Sequence, residues 1–313
     1  RRRLNRNGSH SLRRKQPVVN ARISPVIVAV GLLAPLWAQT AVMPDIAAMA
    51  APAQGKVGAA FSLMETEKAY AFHGNDRFPM QSVYKLPIAL HVMTRVDRGR
   101  MALNQLVQIT PKDFVKPPQH SPLRDRYPQG TSLTLDEVLA YTVSQSDGTA
   151  CDVLLRELGG PEMVDAFLEL IKITEMRVLH TEKQIGARQA TQYKNYSTPV
   201  AAIQLLYAIM NPRGLKPSSR DFLLKLMTET PTGRGRIKGN LPPGTPVAHK
   251  TGTSGTLKGL TAATNDIGIV TLPDGRHLAV AVFIRDSKAD EATREAVIAR
   301  IARAAYDWAL ALP

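Results

Sequence analysis

Apolar and polar positions change their rhythm three times along the chain. Lys56–Leu63 (KVGAAFSL) and Ala69–Phe72 predict two short strands joined by a polar turn. Ser82–Val96 carries apolar residues at Val83, Leu86, Leu90 and Met93, among others, which predicts a strong, largely buried helix. From about residue 98 to 225 no strand series stands out. Helical stretches at Leu135–Val143, Asp152–Leu158, Glu162–Ile171, Pro199–Met210 and Ser219–Met227 alternate there with loops rich in Pro, Gly and polar residues. Strand patterning returns at Pro246–Lys250, Thr261–Thr271 and His277–Phe283, with Asp274-Gly275 as a hairpin signal between the last two. Ala289–Ala311 closes the chain as an amphipathic helix. Strands at both ends and helices between predict an α/β (α+β) fold: an antiparallel sheet built from both termini, flanked by helices, with an all-helical subdomain inserted.

Composition changes this picture little. The 313 residues, 44% hydrophobic and 21% charged, suit a globular chain with a sizeable core. The formal charge of +14 resembles a nucleic-acid signal until its distribution is read. Residues 1–38 hold eight Lys or Arg and no acid, and without them the charge is about +6. The excess is therefore largely a tail, and no nucleic-acid partner is expected. Arg13, Arg14, Lys15 and Arg22 precede the apolar run Pro25–Ala38, which is short for a membrane span and reads as a secretory signal. Cleavage is expected near residues 38–41, leaving residues 39–313 as an exported domain, periplasmic or secreted, monomeric and not stably membrane-bound. The triplet Ala48-Met49-Ala50 fits a cleavage pattern better but lies far from the apolar run. The lone Cys151 reads as a buried thiol. Seven scattered His residues give no metal-ligand spacing, so no metal or other cofactor is expected.

Three short elements carry candidate chemistry. In Ser82-Val83-Tyr84-Lys85 the spacing puts Lys85 on one helical face with Ser82. A serine hydroxyl needs a partner to take its proton, and a desolvated lysine can supply one. Alone the pattern is weak, arising by chance about once per chain of this length. Lys250-Thr251-Gly252 ends a predicted strand. There a cation and a hydroxyl can hold a substrate carboxylate, and a glycine admits a ligand close to the strand. Ser146-Asp147-Gly148 lies in a loop between helices. Ser146 offers a second hydroxyl for proton relay, and Asp147 organises the loop through backbone N–H groups.

In order and separation these elements match S-x-x-K, S-D-N and K-T-G, the motif set of class A β-lactamases and penicillin-binding proteins. With Arg77-Phe78-Pro79-Met80 before the serine, Thr149 to Leu155 after the second motif and His249 to Thr253 at the third, residues 43–313 resemble the class A β-lactamase family. The resemblance implies an active site in a cleft between a sheet part (about 43–81 and 228–313) and a helical part (about 82–227). It also implies a small-molecule β-lactam substrate and a Ser82 acyl-enzyme. Glu182, in Thr181-Glu182-Lys183-Gln184-Ile185-Gly186, is implied as the base that activates the hydrolytic water, and Asn195 as the polar residue closing that loop. Backbone N–H groups of Ser82 and Thr253 are implied as the oxyanion hole. Arg236 matches a position where some members keep an arginine beside the third-motif lysine, and a guanidinium fixed there can share the substrate carboxylate with Lys250. Whether Lys85 or Glu182 through water takes the Ser82 proton stays open. Two positions depart from the pattern: Gly148 replaces the usual Asn of the second motif, and Gly186 stands where many members have an Asn near the hydrolytic water. The alternatives are a D-alanyl-D-alanine carboxypeptidase or other penicillin-binding enzyme, a β-lactam sensor, and, last, a basic protein bound to envelope polymers.

Overall fold

The computed structural model describes residues 45–313. The leader, the apolar run Pro25–Ala38, Arg13-Arg14 and the cleavage positions near 38–41 lie outside the described residues. Asp45 caps a short helix α1 (Ile46–Ala50), accepting from Ala48 N at 3.0 Å. Strands β1 (Lys56–Leu63) and β2 (Lys68–Phe72) form a hairpin, and the two-residue β3 (Phe78–Pro79) leads toward helix α2 (Lys85–Asp97). There follow β4 (Leu106–Ile109), α3 (Pro122–Arg126), β5 (Thr131–Thr134), α4 (Leu135–Val143), α5 (Gly148–Leu158), α6 (Pro161–Leu170) and β6 (Met176–Arg177). Next come α7 (Glu182–Ala187), β7 (Tyr196–Ser197), α8 (Pro199–Met210) and α9 (Pro217–Thr228). The chain finishes with β8 (Val247–Thr253), the small pair β9 (Thr256–Leu257) and β10 (Leu260–Thr261), β11 (Thr264–Thr271), β12 (His277–Arg285) and helix α10 (Glu291–Leu310).

The main sheet runs β2-β1-β12-β11-β8 and is antiparallel throughout, so strands from both ends of the chain share it. Side chains on a strand alternate between faces, and here the alternation divides two cores. Phe61, Leu63, Val280, Val282 and Ile284 pack with α1 and α10 through Ile46, Ile298, Ile301 and Trp308. Ala60, Ala279, Ala281 and Phe283 face the other way, into the larger core that contains α2. Every residue of α2 from Lys85 to Met93 is buried, and α4, α5, α6 and α9 pack around it.

Four features differ from the sequence pattern. Ser82 lies in a 3₁₀ turn, Gln81–Tyr84, one turn ahead of α2. Pro87 explains the boundary, because a ring without an N–H is tolerated only in a helix's first turn. Short strands do occur between residues 98 and 225: β4 pairs with β5, and β7 joins β3 to β6. They are two to four residues long, and β4 buries only alternate positions, leaving Leu106 exposed. Helix α8 falls within the sequence-based helical part but packs on β1 and β12 of the sheet. Ala48-Met49-Ala50 is part of α1, whose Ile46 and Ala50 are buried in the α10 core.

Gly58 in β1 locks the sheet to the segment that leads into Ser82. A Cβ there would lie 2.4 Å from the Phe78 ring and 2.9 Å from Pro199 Cγ. Phe78 is fully buried, with its ring centroid 5.8 Å from that of Phe283. Gly58→Ala is expected to destabilise the fold by about 1–3 kcal/mol through overpacking, read as a lower denaturation midpoint at an unchanged slope.

Candidate active site

Lys85 opens α2 with its side chain buried. Its Nζ donates to Ser82 Oγ at 2.7 Å and to the Glu182 carboxylate on the other side. Burial alone would push the Lys85 ammonium toward its neutral form. The opposing pull of nearby groups, led by the Glu182 carboxylate and its hydrogen bond, raises its pKa above the ordinary lysine value. The serine therefore sits beside a charged ammonium.

The turn that presents Ser82 is held under strain. Gln81, immediately before it, has φ 48°, a conformation costly for a residue with a Cβ and frequent at functional sites. Asn265 in β11 anchors this turn, donating to Pro79 O at 2.8 Å and Met80 O at 3.1 Å. Met80 N donates to Asn195 O at 2.9 Å, and Gln81 Nε2 to Gln192 Oε1 at 2.6 Å. A Cβ on Gly252 would lie 2.2 Å from Met80 O and 3.2 Å from Val83. Gly252 thus admits the Met80–Val83 turn against β8.

Strand β8 carries the second buried lysine. Lys250 Nζ donates to Ser146 Oγ at 2.8 Å and to Thr251 O at 3.2 Å. Burial, with the nearby Lys85 charge, pushes its pKa down to about 7. Ser146 also has a positive φ, 58°. Its neighbour Asp147 accepts from Leu123 N (2.7 Å), Ala150 N (2.8 Å) and Ser121 Oγ (3.1 Å), so it caps α5 and pins the loop to α3. Thr251 Oγ1 is 2.7 Å from Thr232 Oγ1. Thr253 is exposed at the strand end, and its Oγ1 accepts from Arg236 Nη2 at 2.8 Å. The other nitrogens of Arg236 donate to Glu295 Oε1 (2.9 Å), Asn265 O (3.0 Å) and Gly252 O (3.4 Å). Arg236 is therefore a buried brace along β8, meeting the strand end through Thr253.

The fold thus gathers Ser82, Lys85 and Glu182 in one hydrogen-bonded chain and Ser146 with Lys250 in another. Comparison with known proteins says what such a chain is. The profile of the β-lactamase enzyme family matches residues 41–309. The β-lactamase VEB-1 of Pseudomonas aeruginosa is 40% identical over 257 residues, 82% of this chain and 86% of that protein. The extended-spectrum β-lactamase PER-1 of the same organism is 44% identical over 237 residues, 75% of this chain and 76% of that protein. Among solved structures, a β-lactamase from Chitinophaga pinensis superimposes with a TM-score of 0.82 at 48% identity, covering 84% of this chain and 97% of that one. A representative class A β-lactamase from Bacteroides cellulosilyticus gives 0.79 at 32% identity, covering 85% and 95%. The chain belongs to the class A serine β-lactamases.

In this β-lactamase both glycines that depart from the family pattern have neighbours filling the space. A Cβ on Gly148 would lie 3.2 Å from His120 O and 3.3 Å from Val115 Cγ2, so no side chain enters there unless that loop gives way. Over Gly186 lies the side chain of Gln119. Asn195 is buried at the neck of the Glu182 loop. It accepts from Leu179 N (2.8 Å) and His180 N (2.9 Å) and donates to His180 O (2.8 Å).

Sequence reasoning passed over three residues that hold this geometry: Asn265, Gln119 and Asp152. Asn265 had a signal, a polar pair Asn265-Asp266 inside an otherwise apolar strand. Asp152 had one too, an acid at the start of the apolar stretch of α5. Gln119, in an irregular loop, had none. Asp152 accepts from Glu182 N at 2.6 Å and Lys183 N at 3.0 Å, gripping the first turn of α7. Burial and the nearby Glu182 charge raise its carboxyl pKa to about 7, against the pull of these two N–H groups and of Lys85. Between pH 4 and 7 the unfolded chain has released this proton while the native protein keeps it, so Asp152 makes stability fall as pH rises. Asp152→Asn removes the titration. Its stability relative to wild type is expected to improve from pH 4 to 7, on the order of 1 kcal/mol per pH unit. Parallel denaturation curves for the two proteins would contradict this.

Proposed function

We propose that this β-lactamase opens the lactam ring through an ester on Ser82, which water activated by Glu182 then hydrolyses. The observation that carries the reading is the chain Ser82 Oγ–Lys85 Nζ–Glu182 carboxylate. A raised lysine pKa disfavours Lys85 as the resting base. The proton of Ser82 is then assigned to Glu182 through a bridging water, with the Lys85 ammonium steadying the alkoxide. Ser82 Oγ bonds to the lactam carbonyl carbon while the backbone N–H groups of Ser82 and Thr253 receive the oxyanion. As the C–N bond breaks, Ser146 gives the nitrogen a proton and is resupplied by Lys250. The proton gained by Glu182 passes through Lys85 to Ser146 and Lys250, replacing the one given to the nitrogen, and the freed carboxylate takes a proton from the attacking water and returns it to Ser82 Oγ as the ester breaks. Thr251 and Thr253, with Lys250, offer donors for the substrate carboxylate, and Arg236 fixes Thr253 for that contact. Because Gly148 has no side chain, recognition of the substrate amide rests on other groups.

We further infer an exported monomer in which residues 1–38 are a leader removed near 38–41 and residues 39–313 form the catalytic domain. The basic, acid-free leader supports this. Among the described residues no helix is long and apolar enough to cross a membrane.

Glu182→Gln separates a hydrolase from a penicillin-binding protein or sensor. General-base help is worth about 10²–10⁴-fold, so the variant is expected to acylate more slowly, to hold the ester once formed, and to lose turnover on that scale. Intact-protein mass spectrometry should show the variant plus one β-lactam, with the adduct on Ser82. Wild type should show little adduct at steady state, and Ser82→Ala none. A long-lived adduct on wild type, unchanged in Glu182→Gln, would overturn the reading.

A further inference from the structure

Helix α7 carries Glu182 but buries none of its six residues fully. Apart from Ile185, which is half-buried against the main core, polar contacts hold it. Asp152 takes the amide N–H groups of Glu182 and Lys183. On the other side of the same turn, Gln119 Nε2 donates to Glu182 O at 2.6 Å. The Gln119 amide lies flat over Gly186: a Cβ there would be 2.3 Å from Oε1, 2.4 Å from Cδ and 2.7 Å from Nε2. Gly186 has no left-handed φ and sits within a helix, where alanine is the better residue. What the glycine provides is room for Gln119.

The loop that supplies Gln119 is itself pinned. Arg124 Nη1 donates to Val115 O at 2.9 Å and to Gln119 O at 3.1 Å, and Gln119 N donates to Lys116 O at 3.0 Å. The next residue, His120, holds the Ser146 loop through its carbonyl, which accepts from Gly148 N at 3.0 Å, and through its ring, 2.9 Å from Gln145 O. Adjacent residues of one braced loop thus touch both catalytic segments.

We propose that Gln119, seated over Gly186, is a positioning residue for deacylation, holding the backbone of Glu182 so that its carboxylate keeps its place beside Ser82. The proposal rests on Glu182 acting as the hydrolytic base. Small displacements of a catalytic group cost up to about 100-fold in rate. Here both steps that use Glu182 lose rate, and ester hydrolysis loses most, because the acyl ester lacks the ring strain that drives acylation. For an acyl-enzyme, kcat/KM covers only the steps through acylation. Slower deacylation therefore lowers kcat and KM together.

Three variants test this with a cephalosporin or penicillin: Gln119→Ala, Gly186→Ala and the double variant, beside Glu182→Gln. Gln119→Ala is expected to lower kcat by a factor of about 10 to 100, to lower kcat/KM by less so that KM falls as well, and to show acyl adduct at steady state. Gly186→Ala, which displaces the Gln119 amide, should do the same with no loss of thermal stability. In the double variant the two effects should not add, because both remove one contact. Three results overturn the assignment: wild-type kcat in both single variants while Glu182→Gln accumulates adduct, a fall in kcat/KM at unchanged KM, or fully additive losses. If Glu182→Gln itself accumulates no adduct, the deacylation reading falls, and Gln119 falls with it.

Discussion

The buried ammonium of Lys85 constrains the rest of the structure. A charge at 1% side-chain exposure is tolerable only with a counter-charge and hydrogen bonds beside it, and Glu182 supplies the counter-charge. That carboxylate comes from a short helix with little apolar anchorage, so the segment must be held by other means. Asp152 takes its amide groups, Asn195 closes its neck, and Gln119 takes its first carbonyl. A buried charge at the start of α2 thus sets the polar framework of a loop nearly one hundred residues away in sequence.

The two buried lysines show how neighbours divide one residue type into two states. Lys85 faces a carboxylate and stays charged. Lys250 faces one hydroxyl, a backbone carbonyl and a second cation, and burial brings it to about 7. A substrate carboxylate arriving near Lys250 would provide the missing counter-charge, so the site is electrostatically incomplete until it is filled. The strained φ values at Gln81 and Ser146 belong to the same design. Both hydroxyl-bearing turns are bent against their preference and held by Asn265, Gln192 and Asp147.

Long elements were legible from periodicity. The terminal strands, α2, α4, α8 and α10 follow from two- and 3.6-residue patterns because each buries a full face. The short strands β3 to β7 were illegible because pairing over two to four residues leaves too few alternations to read. The 3₁₀ turn at Ser82 was misread as helix, since Val83 and Tyr84 are buried like the helix that follows. At the site, Ser82, Lys85, Ser146 and Lys250 announced themselves by spacing, and Glu182 only by family likeness. The residues that hold them needed coordinates, because Gln119 meets Glu182 across 63 positions and Asn265 meets Pro79 across 186. Gly252 illustrates the same limit. Its spacing marked it as a place for a ligand, whereas its missing side chain makes room for the Met80 carbonyl.

The central claim is the charge state of Lys85, and ¹⁵N NMR of the lysine side chains, titrated from pH 5 to 11, tests it most directly. Assignments come from Lys85→Arg and Lys250→Arg spectra. The account predicts that the Lys85 Nζ keeps its ammonium shift past the ordinary lysine range, while Lys250 loses its proton near pH 7 in the free enzyme. A neutral Lys85 amine at pH 7 would contradict it and make the lysine, not Glu182, the resting base.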